Sequence, residues 1–316
     1  MRNLRTIDVR GAGPEDTLFD DHGNVYCSLR DDGCIVRVNL ASEKAEIVAD
    51  TGGSPLGLDW LPDGQLLACN AVLGLQVVNI NTGAVLPLPC DVDFGVCNNA
   101  HVLADGTILV SDSSGLYPLA EYQKDIVENT ASGRLIKVSP EGHASVLLEN
   151  LSFANGVACI NRISGAGVDS NEVKEVNDNA VTVLVAQTGT KLINKVRLDG
   201  SQKAVFADVP GHPDNLSIGS DGNVWVAMPS LPSKPLSLLH RSPMLVRKIS
   251  ARLPTALQPK PELCCCVMVY DSDGQIVKTY NGDTRIFNFV TGVREHNGVV
   301  ALASIEQRCI GVFEID

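Results

Sequence analysis

Four oxygen-bearing side chains stand at matching places along this chain. Glu15 lies eight residues before Gly23, Asn98 eight before Gly106, and Asp214 eight before Gly222. Asn155, in "FANGVA", opens a strand-like run of the same kind, although an insertion at about 161–179 breaks the count there. Two carboxylates and two amides brought to one axis are costly to bury unpaired. A hard divalent cation resolves that cost. An oxygen-only set suits calcium better than zinc, with magnesium possible under stricter geometry. Asn215 follows Asp214 directly, so an Asp-Asn pair opens a run that otherwise reads as sheet core. Asp16 and His212 flank the carboxylates and are candidates for a general base. An imidazole is suited to that role because it titrates near working pH. His101, three residues after Asn98, reads as a packing residue within its strand.

What places such residues together is a repeat. "HGNVYCS", "DGQLLAC" and "DGTILVS" carry Gly23, Gly64 and Gly106, at spacings of 41 and 42 residues. "VTVLVAQ" and "DGNVWVA" continue the series, with Val183 standing 41 residues before Val224, and "NGVVALAS" closes it. The intervals of 75 and 76 residues, Ile108 to Val183 and Val224 to Val300, each read as one unit plus an insertion. Six units of strand, turn, strand, turn, strand predict an all-β, six-bladed β-propeller with a short helical insertion. The chain, 1–316, is expected to be one domain, so equivalent positions share one height around a central channel. Units two and six have Leu56 and Val290 at the metal position, which leaves part of the ring apolar.

Two insertions are expected to shape a pocket, at about 117–133 and 229–262. The second carries six Lys or Arg against one acid. Ser242 and Pro243 read as the N-cap and first residue of a helix through about Leu253. Its Met244, Leu245, Ile249 and Leu253 suit a lid, a stabilising cover, or contact with a membrane surface. A propeller must also be latched, and "LRTIDVR" is expected to pair as the outer strand of the last blade.

Composition narrows the partners. The net charge of −12 argues against nucleic acid. No apolar leader or spanning run is evident, so a cytoplasmic setting is expected, with the ten cysteines reduced and mostly buried. G-x-S-x-G, H-E-x-x-H and the phosphate loop are absent. "DSDG", Asp271 to Gly274, has Gly282 where a calcium loop needs an acid, so it reads as a hairpin turn.

"GPED", "CNNA", "FANGVA" and "GHPDN" resemble the metal motifs of the gluconolactonase and senescence-marker-protein superfamily. Paraoxonases and diisopropylfluorophosphatase share that architecture. "DSSGLY", "GRLIKVSPEG", "VPGHPDNLSIGSDGNVWVAM" and "EHNGVVALAS" resemble its strictosidine-synthase-like branch, over nearly the whole chain. The resemblance implies a calcium ion held by Glu15, Asn98, Asn155 and Asp214, with Asn215 beside them. It also shows departures. Thr291 occupies the position of the glutamate that serves the synthase, so alkaloid-forming condensation is not expected. Asn99 replaces an aspartate. Gly95, Val96 and Cys97 stand where an arginine is common, so no sugar-lactone preference is implied. The expected activity is hydrolysis of a small-molecule ester or lactone. The rival reading is a non-catalytic binding or scaffold propeller with a structural calcium.

Overall fold

The computed structural model describes residues 1–161, 181–254 and 257–315, so the insertion expected at about 161–179 lies almost wholly outside the described residues. Six four-stranded antiparallel sheets form the blades of a propeller. They span residues 14–50, 55–87, 97–151, 154–208, 216–281 and 292–314, the last completed from the N-terminus. Each blade has one strand more than its sequence unit suggested. The glycine-led strands are second in their blades, and the innermost strand precedes each glycine.

The core lies between the blades. Six buried apolar clusters each join one neighbouring pair, such as Leu18, Tyr26 and Ile35 against Leu58, Leu66 and Val78 for blades 1 and 2. Strands buried on both faces explain the near-continuous runs of Val, Ile and Leu. Seven of the ten cysteines sit in this interior, Cys264 to Cys266 among them.

The ring closes as the sequence suggested. Arg5–Asp8 pairs antiparallel with Cys309–Glu314, in the register Arg5↔Val312 to Asp8↔Cys309. Ile7 is buried there with Ile310 and Val312. A first-to-last pairing removes two sheet edges at once.

The helices differ from expectation in detail. Helix α1 (Tyr122–Glu128) comes from the first insertion, and the second supplies α2 (Lys234–His240) and α3 (Met244–Ala251). The sequence reading missed α2, although Ser233 caps it by accepting a bond from the Leu236 N–H. Ser242 does not cap α3, whose N-cap is Pro243; the Ser242 hydroxyl instead donates to the Leu238 carbonyl. Both α2 and α3 are tied to α1, by His240 Nε2 at 2.8 Å from the Ile126 carbonyl and by Arg247 donating to that of Glu128.

Candidate functional site

A backbone irregularity presents the site residues. In blades 1 to 4 the innermost strand carries one extra residue against its partner. The pairing jumps from Pro14↔Leu29 to Thr17↔Cys27, from Pro55↔Asn70 to Leu58↔Ala68, from Cys97↔Asp112 to Asn99↔Ser111, and from Ala154↔Gln187 to Val157↔Val185. Glu15, Leu56, Asn98 and Asn155 fall within these bulges. A bulge takes a residue out of the ladder and re-aims its side chain. Asp214 precedes the innermost strand of blade 5, its N–H bonded to the Ala227 carbonyl.

Glu15, Asn98, Asn155 and Asp214 all line one cavity of ≈ 430 Å³. All four are buried. Glu15 Oε2, Asn98 Oδ1 and Asn155 Oδ1 have no hydrogen-bond partner, nor does Asn215 Oδ1 behind them. Burial pushes the Glu15 carboxyl well up, and the nearby Asp16 and Asp214 charges add to the effect. Burial likewise pushes Asp214 up to about 8, against the easing effect of its bond from Asn155. Orphaned buried oxygens around two carboxylates that resist ionising suit a divalent cation, which satisfies the oxygens and balances both charges. The donor set fits calcium. Among the described residues, no three His, Cys, Asp or Glu side chains group to hold a metal; this set is half amide.

Behind these four runs a second ring. Asp16, Asn99 and Asn215, in blades 1, 3 and 5, alternate with Gly57, Gly156 and Gly292 in blades 2, 4 and 6. The fit is tight: a Cβ on Gly57 would lie 2.7 Å from Asn99 Cα, and one on Gly156 only 2.1 Å from the Leu216 nitrogen. The polar members stitch blade to blade. Asp16 Oδ2 accepts the Leu58 N–H at 3.1 Å, and Asn99 Oδ1 accepts the Val157 N–H at 3.0 Å. Asn215 Nδ2 donates to Glu15 Oε1 at 3.2 Å, so it orients a cavity carboxylate and does not itself line the cavity. The asparagine at 99 is thereby explained, since one carbonyl oxygen suffices for its role.

Asp16 corrects an expectation. It is not among the cavity-lining residues. One of its oxygens accepts the Thr17 N–H, and the other faces Leu58 N and Arg294. A carboxylate so engaged is a strut between blades and offers no free base. His212 does line the cavity. Its Nδ1 lies 2.7 Å from the Thr188 carbonyl, and burial lowers its pKa, so a neutral ring keeps Nε2 as an acceptor. His101 lies outside the cavity, 3.4 Å from Asp59.

Counting from the turn glycine fails in blade 6. The Asn297-Gly298 hairpin is short, and the register from Gly292↔Ala303 to His296↔Val299 runs without a bulge. Val290 is therefore core, and Thr291 lines the cavity, its hydroxyl donating to the Glu15 carbonyl at 2.9 Å.

Both insertions wall the cavity, through Tyr122, Ile126 and Val127 on one side and Leu231, Leu236 and Pro259 on the other. Here too an expectation is corrected. Met244, Leu245, Ile249 and Leu253 do not line the cavity and are exposed. The segments flanking α3 form the wall, while α3 packs on α1 through its opposite side. Sequence reading missed Arg30 altogether; it follows a strand, and nothing local marks it as facing a pocket.

Comparisons with known proteins agree with this architecture. Residues 98–162 match the strictosidine synthase family model, and residues 1–38 match that of the strictosidine synthase-like N-terminal region. Protein STRICTOSIDINE SYNTHASE-LIKE 6 of Arabidopsis thaliana is 28% identical over 311 residues, covering 94% of this chain and 78% of the relative. A gluconolactonase from Xanthomonas campestris superposes with a TM-score of 0.68 at 14% identity, over 99% of this chain and 89% of its own. Regucalcin from Agrobacterium tumefaciens, described as a calcium-binding protein, gives 0.64 at 14% identity, over 99% and 94%. These structures share the fold. With the matched family models beginning at Met1 and at the cavity residue Asn98, the chain is similar to strictosidine-synthase-like proteins over nearly its whole length and shares the six-bladed propeller fold of gluconolactonase and regucalcin.

Proposed function

We propose that this protein is a calcium-dependent hydrolase of a small-molecule ester or lactone. The observation that carries the reading is the set of unpartnered oxygens on Glu15, Asn98 and Asn155, facing one cavity with Asp214 and the neutral His212. Glu15, Asn98, Asn155 and Asp214 would hold the ion, with Asn215 fixing the Glu15 carboxylate. Bound there, calcium supplies a Lewis-acid position for the carbonyl oxygen of the substrate. His212 takes a proton from water at Nε2, because Nδ1–H is committed to the Thr188 carbonyl. The apolar walls lower the local dielectric, which strengthens each electrostatic contact inside. Thr291 offers no carboxylate to deprotonate an amine, so condensation chemistry lacks its base.

The test is turnover of an aryl-ester and lactone panel with calcium and with chelator. Asp214→Ala should abolish calcium binding and nearly all turnover. His212→Gln should keep calcium and lose about 10²- to 10⁴-fold in kcat, the usual contribution of a positioned base. Calcium binding with no turnover of any ester or lactone would leave a scaffold whose ion is structural.

A further inference from the structure

One cation in the cavity is not used by that mechanism. Arg30 lines the cavity beside Glu15 and Tyr122, and only 20% of its side chain is exposed. Its Nε donates to Asp31 Oδ1 at 2.7 Å. Among the described residues, its two terminal amino groups donate no hydrogen bond. A partly buried arginine whose terminal amino groups have no partner within the protein is poised for an acceptor that a ligand would supply.

Charge and shape say which acceptor. The carboxylate, ammonium and guanidinium side chains lining the cavity are Glu15, Asp214 and Glu306 against Arg30 and Lys260. A divalent ion cancels Glu15 and Asp214. Asp31 pairs with Arg30 only along its Nε edge, so the two terminal amino groups of the guanidinium remain to meet an anionic group on a ligand. The cavity walls are largely apolar and partly aromatic, including Tyr122, Phe153, Leu236 and Phe289. Tyr122 and Phe153 have ring centroids 6.3 Å apart. A planar guanidinium fork matches a carboxylate in geometry, and one guanidinium already paired on its Nε edge suits the single charge of a carboxylate better than the two of a phosphate monoester.

We propose that Arg30 anchors a carboxylate on the ligand, so that the cavity selects apolar, aryl-type esters or lactones carrying one anionic group. The word ester rests on the hydrolase reading; the anchor itself does not.

The experiment therefore has a binding arm and a turnover arm, both on the calcium-loaded protein. Calorimetry compares 4-butylbenzoate with 4-butylbenzamide, which share a shape and differ by one charge. The acid should bind about tenfold tighter or more, the size of a charge-assisted hydrogen bond. Arg30→Gln should erase that preference, and Arg30→Lys should restore only part of it, because a point charge lacks the fork. In the turnover arm, kcat/KM for 4-acetoxybenzoate should exceed that for 4-acetoxybenzamide, and Arg30→Gln should collapse the ratio. Equal affinities for acid and amide in the unaltered protein overturn the proposal. So does a preference that survives in Arg30→Gln, as it would if the carboxylate bound the ion instead. Tighter binding of 4-butylphenyl phosphate than of the benzoate overturns the choice of carboxylate. An Arg30-dependent preference in binding with neither acetoxy compound turned over sustains the anchor and removes the hydrolase reading.

Discussion

At the residue scale, the site is a problem of charge that a cation solves. Without metal, burial first, and then neighbouring carboxylates, hold Glu15 and Asp214 in their protonated forms, Asp214 up to about 8. Cation binding must expel those protons. Calcium affinity should therefore rise with pH up to about 8 and release protons at neutral pH, read by calorimetry in buffers of different ionisation heat. Binding without proton release would show both carboxylates already ionised. The linked stability runs the other way. A folded-state pKa raised above its unfolded value contributes stability at low pH that is lost as pH rises through the folded value. Metal-free protein should accordingly lose thermal stability between about pH 4 and about pH 8, and saturating calcium should remove that dependence.

At the element scale, the innermost strands do the positioning. Their bulges lift Glu15, Asn98 and Asn155 out of the ladder, and the glycines of alternate blades let neighbouring backbones touch. Gly156 is the tightest of these, with backbone atoms of Asn215 and Leu216 inside 3.0 Å of a Cβ placed there. Gly156→Ala should destabilise the protein by about 1–3 kcal/mol, the usual cost of forcing atoms into a packed site. It should also weaken calcium binding, since Asn155 precedes it and Asn215 orients Glu15. Thermal unfolding and calcium titration of the variant check both effects. An unchanged midpoint would mean that the two strands can separate without cost.

For the whole molecule, the question is what holds a ring shut. Two devices act at distant radii: the N-terminal strand zips the outside of blade 6, and the ion would tie blades 1, 3, 4 and 5 at the axis. Removing residues 1–10 should expose the edge of Cys309–Glu314 and lower the unfolding midpoint. Calcium at about a hundredfold excess over its dissociation constant should offset about 2.7 kcal/mol, because it binds only the closed ring. Scans of full-length and shortened protein, each with calcium and with chelator, separate the two contributions. Equal midpoints in chelator would show that the strand is not the latch.

The repeat, the ring closure and the four cavity-facing oxygens were legible in the sequence, because each depends on local rules. Alternation and turn glycines mark strands, and a shared offset from a turn marks a shared height. Glu15, Asn98 and Asp214 were found in this way, and Asn155, where an insertion breaks the count, by its place at the start of the corresponding strand. Blade 6 shows the limit of that counting, since a shorter hairpin and the absence of a bulge moved Thr291 to the cavity in place of Val290. Only the tertiary structure decided what lies beside what. Asp16 and His212 are both one or two residues from a cavity carboxylate, yet the strand turns one into a strut and the other toward the pocket. The outward side of α3 is apolar, so its hydrophobicity suggested a lid that packing against α1 left on the surface. Arg30 follows the second strand of its blade, and only the tertiary structure sets it on the same cavity as Tyr122 of α1. Contacts between distant segments have no period along the chain, and that is why they appear only once the ring is closed.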